Sequence, residues 1–301
     1  MDQVLTPALA HTLTTVFDGG EAWLAQLPAL LDETAERWDL TLHQPGWMLS
    51  FNVVLPATLT DGTPVVLKLG VPNRELTSEA GALAHYAGRG AVGLIHAEPE
   101  RGILLLARVL PGTPLVDLAD DDQRTRIAAQ VMQKLWRPAP ADHPFPTIHD
   151  WAKGIDRLRQ TFDGGTGPFP TRLVERAEAH FQDLLSDKAP PVVLHGDLHH
   201  WNILAGAGER WLAIDPKGVV GEPAYEVGAL LRNPFPNPAA LPDLPKIQSR
   251  RIAILAEMLG MDAQRLRSWA FAQAILSAWW SYEDGGAFEP SWLAYAEALI
   301  G

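Results

Sequence analysis

Apolar positions recur at helical spacing through residues 19–40, where Trp23, Leu27, Leu30, Leu31 and Trp38 form one stripe, and this predicts an amphipathic helix leading into the first compact region. The period then changes. SFNVVLPATLT and TPVVLKLGV are β-branched runs on either side of Asp61-Gly62, a tight-turn dipeptide, and are expected to pair as an antiparallel hairpin. SEAGALAHYAGRG returns to helical spacing, with Ser78 as the expected N-cap and glycines at its end, before two short strands around residues 92–95 and 103–109. LPGTPL, residues 110–115, puts two prolines and a glycine where strand patterning gives way to helix. The pattern predicts an α+β chain of two lobes: a small antiparallel β-rich lobe over 1–109 and a larger, mostly helical lobe over 110–301. Helices are expected at 121–136, 149–162, 171–186, 246–260, 262–282 and 290–299. Within the helical lobe, IL and WLAID read as strands joined by a Gly206-Ala207-Gly208 turn, and WRPAPADHPFP and NPFPNPAALPDLP read as ordered surface loops.

The 301 residues are 47% apolar, enough for a full-sized core. A formal charge of −12, from 36 acidic and 24 basic residues, argues against nucleic acid or an anionic membrane surface as partner and suits a cationic one. The absence of cysteine excludes disulfides, cysteine-ligated zinc and a thiol nucleophile. MDQVLTPALAHTL has no basic stretch before an apolar one, so no secretory signal is expected and a cytoplasmic location is. WAFAQAILSAWW, residues 269–280, is too short to span a bilayer and reads as a buried core helix containing Trp279 and Trp280. No obligate protein partner is implied.

The richest chemistry lies in residues 193–217, VLHGDLHHWNILAGAGERWLAIDPK. Phosphoryl transfer needs a carboxylate facing the acceptor hydroxyl, oxygen ligands for Mg²⁺ and a cation on the nucleotide phosphates. Asp197 and Asn202 stand at the D-x4-N spacing of a kinase loop, and the hairpin after Asn202 can return Asp215 beside it to complete an oxygen-rich metal site. Upstream, Lys68 is a charge within VVLKL that shares a strand face with Val66 and not with Leu67 or Leu69. An interior lysine needs a partner, and Glu79 in the following helix is preferred over Glu75. Paired in this way, Lys68 would point at phosphates while Val66 covers adenine. A glycine-rich loop is missing; only Gly46 precedes WMLSFNV, and Ser50 with the nearby amides is the candidate to touch phosphate. His195 reads as a residue that organises the loop backbone. His199 and His200 are ambiguous, and Lys217 is either a phosphate or substrate contact or a solvated side chain. Glu283 and Asp284 end a helix, where the macrodipole disfavours acids, which suggests a role in attracting a cationic acceptor.

LHGDLHHWNIL, IDPKGVVGEPAYEVG and AFAQAILSAWWSYEDGG together resemble the aminoglycoside phosphotransferase family of the protein-kinase-like fold, in its streptomycin 6-kinase and hydroxyurea phosphotransferase branch, over about residues 44–286. The resemblance implies ATP and Mg²⁺ as cofactors, Asp197 as catalytic base, Asn202 and Asp215 as metal ligands, Lys68 as the phosphate lysine and Glu79 as its partner. LLLARVLPG resembles the hinge, with the backbone of Ala107 and Val109 facing adenine. The implied acceptor is a small hydroxyl compound of polycationic, streptomycin type, and its candidate contacts are Asp197, His200, Trp201, Lys217, Glu222, Glu283 and Asp284. Three positions depart from the family pattern: Trp201 replaces a small residue, Ala107-Arg108 an acidic hinge residue, and Glu226 an aspartate. A wide tryptophan at 201 would narrow the acceptor site. The same motifs would serve a kinase for another hydroxyl metabolite. Two rival readings are a metal-dependent hydrolase, since H-x-D-x-H-H resembles a zinc box, and a nucleotide-binding module without activity.

Overall fold

In the computed structural model, residues 5–47, 51–187, 189–234, 241, 243–287 and 291–300 are described. The amphipathic stripe forms α2 (Gly20–Arg37), preceded by a helix the pattern did not reveal, α1 (Pro7–Val16), which starts on a Thr6 cap and Pro7. Next come β1 (Thr41–Leu42), β2 (Val53–Thr58), β3 (Pro64–Leu69), α3 (Arg74–Tyr86), β4 (Leu94–Glu98) and β5 (Ile103–Ala107). The five strands make one antiparallel sheet in the order β1-β2-β3-β5-β4. The hairpin turns at Asp61-Gly62 as expected, with the Asp61 carboxylate accepting the Thr63 amide and Gly62 at φ +86°.

Strand alternation divides this sheet into two faces with different duties. Val53, Leu55, Val65, Leu67, Leu69, Ile103 and Leu105 point to one side and are buried beneath Leu9, Leu13, Leu27 and Leu31 of the first two helices. Val54, Val66, Lys68 and Leu106 point to the other side and line a cleft. The N-terminal helices therefore close one face of the sheet and leave the other for a ligand. α3 starts five residues before its predicted start. Asn73, extended at φ −153°, accepts the Leu76 amide at 2.9 Å and is the N-cap, whereas Ser78 is buried inside the helix.

The rest of the chain forms α4 (Asp121–Leu135), α5 (Ile148–Thr161), α6 (Thr171–Ser186), β6 (Val192–Leu194), β7 (Ile203–Ala205), β8 (Trp211–Ala213), β9 (Val219–Gly221), α7 (Val227–Leu231), α8 (Leu244–Leu259), α9 (Ala263–Gly285) and α10 (Ser291–Ala298). Local caps set several starts: Asp120 for α4, a Thr147/Asp150 capping box for α5 and Asp262 for α9. Between Leu266 and Trp279, α9 is buried around nearly its whole girth, so it can only be a central helix, and α6, α7 and α10 pack around it. β7 pairs antiparallel with β8 as predicted, while the β6 and β9 pairing, Val193 opposite Val220, was not foreseen. The helical core continues into the first lobe through Leu76, Leu83 and Tyr86 of α3, which share one cluster with Val193, Leu194 and Leu198. The predicted loop over 233–245 and Ser50 fall largely or wholly outside the described residues.

Candidate active site

Lys68 sits on the cleft face of β3 and is 4% exposed. Burying an ammonium without a counter-charge would cost several kcal/mol, so its surroundings must supply carboxylate. They supply two. Nζ donates to both carboxylate oxygens of Glu79, at 2.8 and 2.6 Å, and to Oδ1 of Asp215. Burial opposes the charge on Lys68, but Glu79 and Asp215 outweigh it and hold the ammonium above its usual pKa. Burial pushes Glu79 up to about 7 against the pull of Lys68. At Asp215, which opens into the cleft, desolvation by the surrounding protein opposes ionisation, and Lys68 and Lys217 overcome it to keep the carboxyl well below the usual range. Glu75, one turn earlier on α3, faces away from Lys68 and pairs with Lys217 instead.

The loop between β6 and β7 is held from below. Both oxygens of buried Glu226 accept backbone amides, those of His195 at 2.7 Å and Gly196 at 2.9 Å. Gly196 has φ +83°, and a Cβ there would lie 2.6 Å from the Trp151 ring, so only glycine lets the loop pass. His195 stitches the loop to the following strand: its Nε2 donates to the Ile214 carbonyl at 2.8 Å, its Nδ1 accepts the Asp197 amide, and its own carbonyl accepts the Lys217 amide. This matches the organising role expected for it. Asn202 donates through Nδ2 to the Asp197 carbonyl at 3.0 Å, leaving its side-chain oxygen available, and its backbone carbonyl accepts the Ile214 amide. Asp215 is exposed into the cleft at φ +61°, a left-handed conformation that aspartate tolerates and that recurs at functional sites. The donor set of one carboxamide and one carboxylate oxygen is hard and fits Mg²⁺.

Neutral His195 links this loop to stability. Burial lowers its pKa from 6.5 to about 4. Below pH 6.5 the unfolded chain takes up a proton that the folded chain refuses, so this contribution is present above pH 6.5 and is lost as pH falls towards 4. It amounts to about 3 kcal/mol at most. Urea midpoints of wild type and His195→Gln between pH 7 and 4.5 are expected to show a shallower acid decline in the variant, and parallel declines would contradict this.

Asp197 brings a partner that spacing did not disclose. Its Oδ1 accepts from Nη2 of Arg232 at 2.9 Å, and its Oδ2 lies 3.6 Å from His199 Nε2. Burial works against the Asp197 carboxylate, and Arg232 and His199 more than offset it, keeping the pKa low. Arg232 lies in ALLRNP, a charge beside an apolar helix, and could have been flagged on the same ground as Lys68.

Between the sheet and the helical lobe lies a cavity of about 550 Å³, whose lining includes Val66, Lys68, Val109, Trp201, Asn202 and Asp215. Trp201 is 39% exposed and stands in this cavity rather than only at an acceptor site. In the hinge, the Ala107 amide is already donated to the Gly93 carbonyl at 2.8 Å, so it is not free to face a base. Val109 has no backbone hydrogen bond among the described residues and lines the cavity.

Several expected acceptor contacts are engaged elsewhere. His200 is fully buried, with no partner for either ring nitrogen among the described residues, because the turn at residues 200–202 sends it inward. Glu222 is bound by Arg265 and by Trp269 Nε1 at 2.9 Å, and Glu283 accepts a two-pronged pair from Arg157 at 2.6 and 2.8 Å. Asp284 remains exposed, its carboxyl raised by partial burial and by the charges of Glu283 and Glu75. Trp279 is core, and Trp280 packs edge-on against Trp151. Among the described residues no three His, Cys, Asp or Glu side chains group to hold a metal ion, which leaves the zinc-box reading without ligands. Nor, among the described residues, is any helix long and apolar enough to cross a membrane.

Residues 42–285 match the family model for aminoglycoside/hydroxyurea antibiotic resistance kinases. The chain is 30% identical over 301 residues to a streptomycin 6-kinase of Streptomyces glaucescens, covering 99% of this chain and 97% of that one. It is 32% identical over 293 residues to a hydroxyurea phosphotransferase of Kitasatospora aureofaciens, covering 94% and 81% respectively. Among solved structures, the choline kinase LicA from Streptococcus pneumoniae superposes with a TM-score of 0.61 at 12% identity, over 92% of this chain and 98% of that one, which identifies the fold as protein-kinase-like. With a β-sheet lysine, a D-x4-N loop and a returning aspartate assembled in one cleft, the chain belongs to the aminoglycoside/hydroxyurea antibiotic resistance kinase family.

Proposed function

We propose that this protein is a cytoplasmic, ATP-dependent O-phosphotransferase acting on a cationic small molecule of the streptomycin class. The observation that carries this reading is the convergence of Lys68, Asp215, Asn202 and the Asp197 loop at one end of the cleft. Adenine would lie against Val66 with the backbone of Val109 at its edge, and Lys68 would meet the phosphates. Mg²⁺ would be held by the Asn202 side-chain oxygen and the Asp215 carboxylate and would offset charge on the transferring phosphoryl group. Asp197, with Oδ1 bound by Arg232, offers Oδ2 to the acceptor hydroxyl. The hydroxyl oxygen attacks the γ-phosphorus in line as the bond to the β,γ-bridging oxygen breaks, and Asp197 accepts the hydroxyl proton.

The cationic character of the acceptor is supported by the charge of −12, by exposed Asp284 and by the relatives named streptomycin 6-kinase. Because Glu222 and Glu283 are neutralised by arginines, attraction would rest on fewer carboxylates than the sequence suggests. The hydroxyurea phosphotransferase among the relatives keeps a small neutral acceptor as the second reading. A coupled ADP assay with Mg-ATP against streptomycin, other aminoglycosides, hydroxyurea and common sugars separates the two. Turnover confined to streptomycin-type acceptors is expected, and turnover with hydroxyurea alone would favour the alternative.

A further inference from the structure

We propose that Arg232 is a positioning residue that fixes which oxygen of Asp197 faces the acceptor. This rests on the reading of Asp197 as the carboxylate that meets the acceptor hydroxyl. Arg232 follows α7 and is only 8% exposed, behind the catalytic loop rather than in the cleft. Its guanidinium is held on three sides. Nη2 donates to Asp197 Oδ1 at 2.9 Å, Nη1 donates to Gln273 Oε1 at 2.7 Å, and the Trp292 ring lies 5.5 Å from Cζ. Gln273 reaches this point from α9 only because residue 228 is glycine: a Cβ there would sit 2.0 Å from Gln273 Oε1. Three separate parts of the chain, at α7, α9 and α10, thus aim one cation at one oxygen of Asp197.

A carboxylate in a partly open site can rotate about Cβ–Cγ and interchange its oxygens, offering the acceptor a distribution of geometries. Arg232, braced through its other nitrogen by Gln273, restricts that freedom, so that Oδ1 is committed and Oδ2, 3.6 Å from His199 Nε2, is the oxygen left for the acceptor. A lysine, as a single ammonium on a flexible stem, would lack the planar spread by which Arg232 holds Asp197 through one nitrogen and Gln273 through the other. A purely structural tie between α7 and α9 would not require the charge to end on Asp197.

The test measures kcat, KM for Mg-ATP and thermal midpoint for Arg232→Met, Arg232→Lys and Gln273→Met, using an acceptor found active in the panel above. A misplaced reactive group costs about 10²-fold. Arg232→Met is expected to lower kcat by about that factor with KM for Mg-ATP changed less than about threefold, and Arg232→Lys should recover part of the loss. In an Asp197→Asn background, Arg232→Met should cost little more, because the group it orients has been altered already. A full multiplicative loss in that background, or wild-type kcat in Arg232→Met, overturns the proposal. If Arg232→Met does not fold, Arg232→Lys decides: a severalfold lower kcat at an unchanged thermal midpoint supports positioning, and full activity refutes it. Failure of the underlying reading would look different, since Asp197→Ala would then retain transfer.

Discussion

Asp197→Ala is expected to lower kcat by about 10²–10⁴-fold, the range a positioned proton acceptor supplies, while Mg-ATP still binds. The physical basis is the separation of duties within the loop. The Asp197 side chain contacts Arg232 and approaches His199, whereas the loop backbone is held independently by Glu226, His195 and Asn202. Removing the carboxylate would therefore remove the group proposed to face the acceptor without releasing Asn202, whose bond is to the Asp197 backbone carbonyl. Calorimetric titration with Mg-ATP alongside the ADP assay checks both halves. Near wild-type turnover would refute the assignment of Asp197, and lost nucleotide affinity would show that the loop had collapsed. A further consequence is that Arg232 becomes a buried cation without its counter-charge, so some loss of thermal stability should accompany the kinetic effect.

Asp215→Ala should act on the other side of the reaction, weakening Mg-ATP binding by at least about 10-fold, the lower bound for loss of a group that supports a metal site. Asp215 contacts Lys68, lines the cleft beside Asn202 and does not touch Asp197. Its loss should leave Lys68 paired only with Glu79, drawing the ammonium towards α3 and away from phosphate. The affinity measured with Mg²⁺ present should therefore fall towards the affinity measured with EDTA. An Asp215→Ala variant whose nucleotide affinity still rises strongly on adding Mg²⁺ would remove Asp215 from the metal site.

These two residues were legible before any coordinates because their chemistry is carried by local spacing. Five positions separate Asp197 from Asn202, and a tight hairpin, β7 to β8, returns the chain to Asp215. Lys68 was legible because a charge in an apolar strand stands out against period-two alternation. Glu75 and Glu79 lie on neighbouring turns of one helix, so spacing could rank but not decide between them. The decision came from how α3 docks into the helical core through Leu76, Leu83 and Tyr86, which turns Glu79 towards β3 and leaves Glu75 at the rim for Lys217. Ser78 misled as a cap because serine favours that role in general, while Asn73 occupied the extended position five residues earlier.

The sequence by itself determined the hairpin that carries Lys68, the D-x4-N spacing of Asp197 and Asn202 and the tight β7–β8 turn ahead of Asp215, since each is specified by backbone periodicity or by turns of a few residues. Only the tertiary structure decided which charges remain available for an acceptor. Arg157 silences Glu283 from 126 positions away, Arg265 silences Glu222 from 43, and Arg232 reaches Asp197 from 35. Ion pairs across such separations depend on how helices cross in the folded core, and side-chain period along one helix carries no record of its neighbour.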